Sequence, residues 1–565
     1  MSSFKIFTDS VTQITKIIEK PVEEPYKITE RTLKAFAISS RSSSDKILTN
    51  PNIKDSIDRR LYEYKGELYY PWLFSKTLKH NEIGLTSKED LDKLINVSKT
   101  YGSKDAIDAL ASAQDPNKVR TLEGVATGQS FIIRGCDTQF CDVSDQFLKA
   151  DSLENIAEMI EVYEKSLLRD VSFFDYENNN SDVIRAIKSM NNYNNISAYT
   201  GPLTDSRIID GKVLFRGNST DELYGPYISQ FLILPFKYNG INIEQQYPVE
   251  NDVKNTTEYN TYLDIQRGKI TGSPNFSGEY KYIYSGRVLG SVVHNDPMYY
   301  AYYNAALISL QNGLKLEYNG TSVTSAWTDQ GPPDCLASIA EVALAALRVA
   351  WNSKYNIGLK LRPEVMAYRI DQIYNDVLTG SDFEQIKNYL SYGKETLDEV
   401  FNKNTNSNYL LTLMYPEGSP AHPSWTAGHA VLAGACITIL KAFFKTHDED
   451  FNPLSWPNTP KHSIDGISLH EYNRSDKNRL TIVGEFNKLA SNMSLGRDFG
   501  GVHYRLDGVS GITLGENFAI KYLQTKLLEY ISTDNKMIKS FNLEKINGDY
   551  ISITVDDIVV LKSRK

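Results

Sequence analysis

Apolar residues set out the chain's architecture before any chemistry is considered. Around residues 150–170, Ile156, Met159, Ile160, Val162 and Leu167 recur near a 3.6-residue period, which predicts a helix. CLASIAEVALAALRVAWNSKYN (335–356) is apolar almost all round and follows Pro332-Pro333-Asp334, a helix start. HAVLAGACITILKAFFK (429–445) and TIVGEFNKLASNMSLGRDF (481–499) predict two more helices; like 335–356, they read as packed between others. SGRVLGSVVHNDPMYYAYYNAALISLQNG (285–313) reads as one helix ending at Gly. GKVLFRGNSTDELYGPYISQFLILPFKY (211–238) runs from a turn into a long apolar element. Residues 239–285, rich in Asn, Gly and Tyr, read as an irregular excursion, and 177–182 as a break. Asn547-Gly548 between alternating residues signals a hairpin. Polar runs at 39–46 and 50–55 read as loop or arm.

These elements predict a mainly α fold with small β-hairpins at its periphery. The segmentation is an N-terminal extension over 1–115, a helical domain over 116–530 and a C-terminal β-hairpin tail over 531–565. The tract over 1–115 is a candidate assembly arm.

Composition narrows the function. A net charge of −9 argues against a nucleic-acid binder, which needs a Lys/Arg surplus to neutralise phosphates. Four Cys in 565 residues are too few for a disulfide scaffold. Cys136 and Cys141 read as two thiols or one local disulfide, and Cys335 and Cys436 as core residues. No apolar run is long enough to span a bilayer, and the first residues lack the apolar core of a secretory signal. The expectation is a soluble, cytoplasmic protein.

Three segments carry candidate chemistry. Lys354 and Arg362 stand eight residues apart where a buried helix gives way to Pro363. Ala421-His422-Pro423-Ser424-Trp425-Thr426-Ala427-Gly428-His429 opens into the next buried helix, whose first-turn N–H groups and positive dipole end favour an anion. In the third segment Arg497 closes a helix, and His503 and Asp507 are four apart, which places them on one face of a helical turn. A carboxylate on one imidazole nitrogen fixes the tautomer and leaves the other as ligand or nucleophile. Three cations, a helix N-terminus and an imidazole suit a tetrahedral oxyanion. Two chemistries use this set: phosphoryl transfer with His503 as nucleophile, and vanadate binding with His503 as the protein ligand.

In their order and form these segments resemble the vanadium-dependent haloperoxidases, in particular the bromoperoxidases of red algae and cyanobacteria. They read as a Lys with Arg-Pro eight residues on, His-Pro-x-x-x-x-Gly-His, and an Arg followed by His-Tyr-x-x-Asp-Gly. SLLRDVSF (166–173), LFRGNSTDELYGPYISQFLI (214–233) and YIYSGRVLGSVVHNDPMYYAYYNAALISL (282–310) extend the likeness over roughly residues 150–525. The resemblance implies two helical bundles forming one large domain and a homo-oligomer, a dimer or larger. It implies vanadate as cofactor, hydrogen peroxide and halide as substrates, and a structural calcium whose ligands it does not place. It further implies that bromide or iodide is oxidised to hypohalous acid on a peroxovanadate bound to His503. In that scheme Lys354, Arg362 and Arg497 neutralise the vanadate oxygens and Gly428 supplies a backbone N–H. Asp507 orients His503, His429 handles protons, and His422 and Lys354 lie near the reacting oxygen.

One position departs from the family pattern, which is usually Pro-Ser-Gly-His. Here Thr426-Ala427-Gly428-His429 lacks the serine hydroxyl that would donate to a vanadate oxygen. A hydrogen bond to a charged group is worth about 1.5–3 kcal/mol, so Ala427 is expected to weaken oxyanion binding without abolishing it. Thr426 and Ser424 are the nearby hydroxyls. The alternatives are a phosphohydrolase with His503 as nucleophile and His429 as acid, and a non-catalytic oxyanion-binding relative.

Overall fold

The computed structural model describes residues 56–565 apart from short stretches at 101–102, 131, 133, 139–140, 142–146, 252–256, 270–271, 295, 319–325, 458–459, 531–538 and 565. The polar runs at 39–46 and 50–55 lie outside the described residues. Helices dominate: α1 (Lys88–Lys99), α2 (Lys104–Ala113), α3 (Leu153–Leu167), α4 (Ser181–Asn194), α5 (Tyr259–Gln266), α6 (Gly286–Val292) and α7 (Tyr300–Gln311) precede the site. Then follow α8 (Pro332–Asn352), α9 (Pro363–Tyr374), α10 (Ser381–Leu390), α11 (Lys394–Lys403), α12 (Gly428–Phe443), α13 (Ile482–Phe499) and α14 (Arg505–Glu529). The strands are short antiparallel pairs: β1–β2 (Tyr62–Tyr64, Glu67–Tyr69), β3–β4 (Phe236–Tyr238, Ile241–Ile243), β5–β6 (Tyr247–Glu250, Phe276–Lys281) and β7–β8 (Pro460–His462, Leu469–Glu471). The hairpin at Asn547-Gly548 forms between β9 (Phe541–Glu544) and β10 (Tyr550–Ile553), and β11 (Ile558–Lys562) adds to it. The fold is therefore mainly helical with peripheral hairpins.

Among the helices that carry the site, α12 and α13 are buried along nearly their whole length, whereas α8 exposes one face, with Leu344 50% exposed, and so is not packed between others as its all-round apolar run predicts. Only His429 of α12 is not buried, and α13 is buried from end to end. Glycine lets α12 and α14 approach closely. A Cβ at Gly434 would stand 2.0 Å from the Ile512 carbonyl oxygen, and one at Gly515 1.9 Å from that of Val431. This approach brings the starts of the two helices together, where the Ala427 N–H donates to the Asp507 carbonyl at 2.9 Å. Helix α3 buries charged residues as well as its apolar stripe. Lys165 pairs with Asp498 of α13 at 2.7 Å, and Glu161 accepts from the Arg505 Nε at 2.9 Å.

Residues 56–113 lie under the Lys354 segment. Ile57, Tyr70, Leu73 and Phe74 share a cluster with Tyr355 and Leu359, and Phe74 donates its N–H to the Leu359 carbonyl at 2.9 Å. Lys76 and Glu364 form a buried pair at 3.1 Å, which ties this segment to the first turn of α9.

Several expected elements are corrected. The helix expected over 285–313 is two helices, α6 and α7, separated at 293–299. Pro297 sits in the break, where its ring and missing N–H oppose a continuing helix. The long apolar element expected within 211–238 is a series of short 3-10 turns; Phe215, Ile228, Phe231 and Ile233 are buried without a regular helix or strand. The tract over 239–285 contains three strands and α5. All four cysteines are buried, and of the two readings for Cys136 and Cys141 the pair of thiols holds, with no disulfide between them.

Candidate functional site

Helix ends supply almost every candidate residue. Helix α8 loosens into a wider turn at Ser353–Gly358, and Leu359 takes a left-handed conformation (φ 44°) that redirects the chain. Lys354 lies in that turn and Arg362 is the residue before α9. Gly428 begins α12, Arg497 is in the last turn of α13, and His503 precedes α14.

The geometry around His503 assigns its tautomer. Asp507 accepts from Nδ1 at 3.0 Å, and the Arg362 Nη1 lies 2.9 Å from Nε2. Guanidinium only donates, so Nε2 carries the lone pair and Nδ1 the proton. Burial and the neighbouring Arg362 hold the pKa of His503 well below the ordinary imidazole value, so the ring is neutral. His503 and Asp507 do not share a helical turn: His503 lies before the helix, and Asp507 reaches back from the first turn of α14. Asp507 also accepts from the Ser424 hydroxyl and from the Tyr504 N–H at 3.2 Å. Burial alone would raise its pKa, but Lys360, 3.5 Å away, and His503 outweigh burial and keep it ionised.

Arg362 also donates to the His422 carbonyl at 2.9 Å and to its Nδ1 at 3.0 Å, and thereby joins the two histidines. Lys354 donates to the Pro423 and Ser424 carbonyls at 2.8 and 3.0 Å. Arg497 donates to the Val293 carbonyl at 2.7 Å, and its buried Nε has no partner among the described residues. Thus three buried cations bond to carbonyls or imidazoles, and among the described residues none forms an ion pair with a carboxylate. Burial first, and then the other cations, depress the pKa of Lys354 well below its ordinary value and that of Arg362 to about 10. Uncompensated buried charge is costly. An anion held among these groups relieves that cost.

A cavity of about 290 Å³ opens on the set; His422, Gly428, His429, Arg497 and His503 line it, with Trp351 and Leu347 on an apolar side. Lys354 and Arg362 stand behind that lining. His429 is about 29% exposed, and its Nε2 lies 2.8 Å from the Asp296 Oδ1. Asp296 is buried, which would raise its pKa, yet His429 and Arg497 bring it below the usual carboxylate value. Nε2 thus carries a proton that Asp296 accepts. On the haloperoxidase expectation drawn from the sequence, Asp296→Asn should lower peroxide-dependent halide oxidation by up to the roughly 10²- to 10⁴-fold of positioned proton transfer, with vanadate retention on dialysis unchanged. Unchanged turnover would remove His429 from proton handling.

The structure brings Lys354, Arg362, His422, Gly428, His429, Arg497, His503 and Asp507 to one locality. It places Ala427 there too, buried as the N-cap of α12 with no side-chain cap. The nearby hydroxyls are engaged elsewhere: Thr426 pairs with the Ser353 hydroxyl at 2.8 Å and Ser424 with Asp507. Sequence reasoning missed Asp296, Lys360 and Glu123, whose carboxylate lies 3.5 Å from the His422 Nε2. Lys360 had a signal, since it alternates with Arg362 in an extended stretch. Asp296 and Glu123 had none, because only the fold brings them near. Among the described residues no group of three or more His, Cys, Asp or Glu is placed to hold a metal ion, and no helix is long and apolar enough to cross a membrane.

Fold and pocket together define a helical protein whose helix ends gather buried cations and histidines beside one cavity. The family model described as "VCPO second helical-bundle domain" matches residues 336–531, which contain every candidate from Lys354 to Asp507. The vanadium-dependent bromoperoxidase of Corallina officinalis is 29% identical over 558 residues, covering 85% of this chain and 90% of its own. That of Ascophyllum nodosum is 28% identical over 417 residues, 72% of each. The homohexameric structure of the second vanadate-dependent bromoperoxidase of Ascophyllum nodosum superposes with a TM-score of 0.80 at 23% identity, covering 97% of this chain and 96% of that one; it shows a shared fold. The chain is thus similar to vanadium-dependent bromoperoxidases over 85% of its length.

Proposed function

We propose that the protein is a vanadate-dependent haloperoxidase that uses hydrogen peroxide to oxidise bromide or iodide to hypohalous acid. The observation that carries this reading is the set of three buried cations without carboxylate partners around a neutral, Asp507-oriented His503. The relatives' names support vanadate as the anion. The unpartnered Nε of Arg497 and the depressed pKa values of Lys354 and Arg362 fit a multiply charged oxyanion. His503 Nε2 would be the protein ligand, with Lys354, Arg362, Arg497 and the Gly428 N–H holding oxygens. When bound, vanadate supplies a V(V) Lewis acid that makes peroxide oxygen electrophilic toward halide.

The chain's own contribution is preorganisation and proton handling. Lys354 and Arg362 are fixed by carbonyls before any ligand arrives, so little reorganisation is needed. Asp507 keeps the His503 lone pair on Nε2. His429, which lines the cavity and is held at Nε2 by Asp296, is the proton-handling group of this reading. His422, neutral because burial and Lys354 depress its pKa, stands between Arg362 and Glu123. The homohexameric neighbour supports a homo-oligomer, and multi-angle light scattering that returned a single-chain mass of 63.9 kDa would refute that assembly.

The test is monochlorodimedone bromination on titrating vanadate into the metal-free protein. Activity should rise to saturation with vanadate and require both peroxide and bromide. Para-nitrophenyl phosphate hydrolysis that vanadate inhibits, without bromination, would replace this reading with the phosphohydrolase. Inactivity with every halide would leave an oxyanion-binding relative.

A further inference from the structure

Of the methionines at 159, 190, 298, 366, 414 and 493, which are those among the described residues, five are at most 3% exposed. Met298 is 41% exposed and lines the same cavity as His429, Arg497 and His503. It lies in the break between α6 and α7, at residues 293–299. That break works for the site at three other points. The Val293 carbonyl accepts from Arg497, Asp296 holds His429, and the His294 ring lies between Glu250 and Glu417, 2.7 Å from each. A thioether is the softest nucleophile on the cavity wall. It shares the cavity wall with His429, Arg497 and His503, within the space into which an electrophilic oxidant made at the vanadate site would be released.

We propose that Met298 is a modification site at which hypohalous acid made in the cavity is intercepted, so that the protein's own turnover converts Met298 to the sulfoxide. The inference rests on the haloperoxidase reading. The step balances: the sulfur lone pair attacks hypobromous acid, the sulfur gains the oxygen and loses two electrons, bromine is reduced from +1 to bromide, and one proton is released. Oxidation replaces a flexible apolar side chain with a polar, chiral one. The change falls two residues from Asp296, so it is expected to loosen the hold on His429 and slow turnover. Accumulated product would thereby restrain its own formation, and methionine sulfoxide reductase would reverse the effect.

The experiment uses the full chain loaded with vanadate and supplied with peroxide and bromide without an organic acceptor, followed by peptide mass spectrometry. Sulfoxide at Met298 should appear first and far ahead of the five buried methionines, and it should need vanadate and bromide as well as peroxide. Met298→Leu should keep a several-fold larger fraction of its own initial rate after the same number of turnovers, and reductase treatment should restore the wild type. Bromination with Met298 unmodified, or equal sulfoxide from peroxide alone, would overturn this inference and leave the haloperoxidase reading standing. A Leu variant that decays as fast as wild type would overturn the link to inactivation. No bromination at all would overturn the functional reading, and this inference with it.

Discussion

His503→Ala should abolish vanadate-dependent bromide oxidation and release vanadate on dialysis. Outer partners of a metal-bound histidine are each worth about 10–100-fold in affinity, and losing the ligand itself should exceed that. Residual affinity should persist, because Lys354, Arg362 and Arg497 still present charge to an oxyanion. The substitution leaves a small void. Asp507 keeps Ser424, the Tyr504 N–H and Lys360 as partners, so the start of α14 should stay folded. Circular dichroism checks the fold, and ⁵¹V NMR with activity checks the site. Asp507→Asn is the graded companion, since an amide that presents its NH₂ to Nδ1 favours the other tautomer. Unchanged bromination in His503→Ala would place the chemistry elsewhere.

The long apolar helices were legible as helices, although only α12 and α13 are packed between others; α8, apolar almost all round, leaves Leu344 exposed. Pro332-Pro333 marked the start of α8, and Asn547-Gly548 marked its hairpin, through local turn chemistry. The break between α6 and α7 was missed although His294-Asn295-Asp296-Pro297 interrupts the apolar pattern with a polar run and a turn-favouring Asp-Pro pair. The tract 211–238 failed differently. Its apolar residues are buried by tertiary contact, with no period behind them.

The site divides along the same line. Residues at helix ends could be read as a set because helix termini have predictable electrostatics. The connection between His503 and Asp507 was legible from spacing, although a cap carries it and a shared turn does not. Asp296 and Glu123 reach the pocket from segments with no spacing relation to it. Charge shows the same limit. A net −9 describes the surface, while the interior concentrates three cations that only the fold brings together. Their partners are carbonyls and imidazoles, and no composition statistic reports that.

Ala427→Ser should tighten vanadate binding by about 10- to 100-fold, the equivalent of the about 1.5–3 kcal/mol of one hydrogen bond to a charged group. The position is buried at the N-cap of α12, next to Gly428 and within reach of the Asp507 backbone. A serine there has a second use: its oxygen can accept from a first-turn N–H that now lacks a side-chain cap, for about 1 kcal/mol of stability. The two effects are compatible, because a hydroxyl accepts through a lone pair while it donates its proton. They are also separable. Denaturant unfolding of the vanadate-free protein reads the cap alone, and a vanadate titration followed by bromide oxidation reads the oxyanion. Gain in both places the hydroxyl between helix and anion. Gain in stability with unchanged vanadate affinity would mean that the hydroxyl turns to the helix, and that Ala427 is not what limits vanadate affinity. Ala427→Gly is the control, since it adds no donor and should leave vanadate affinity as it is.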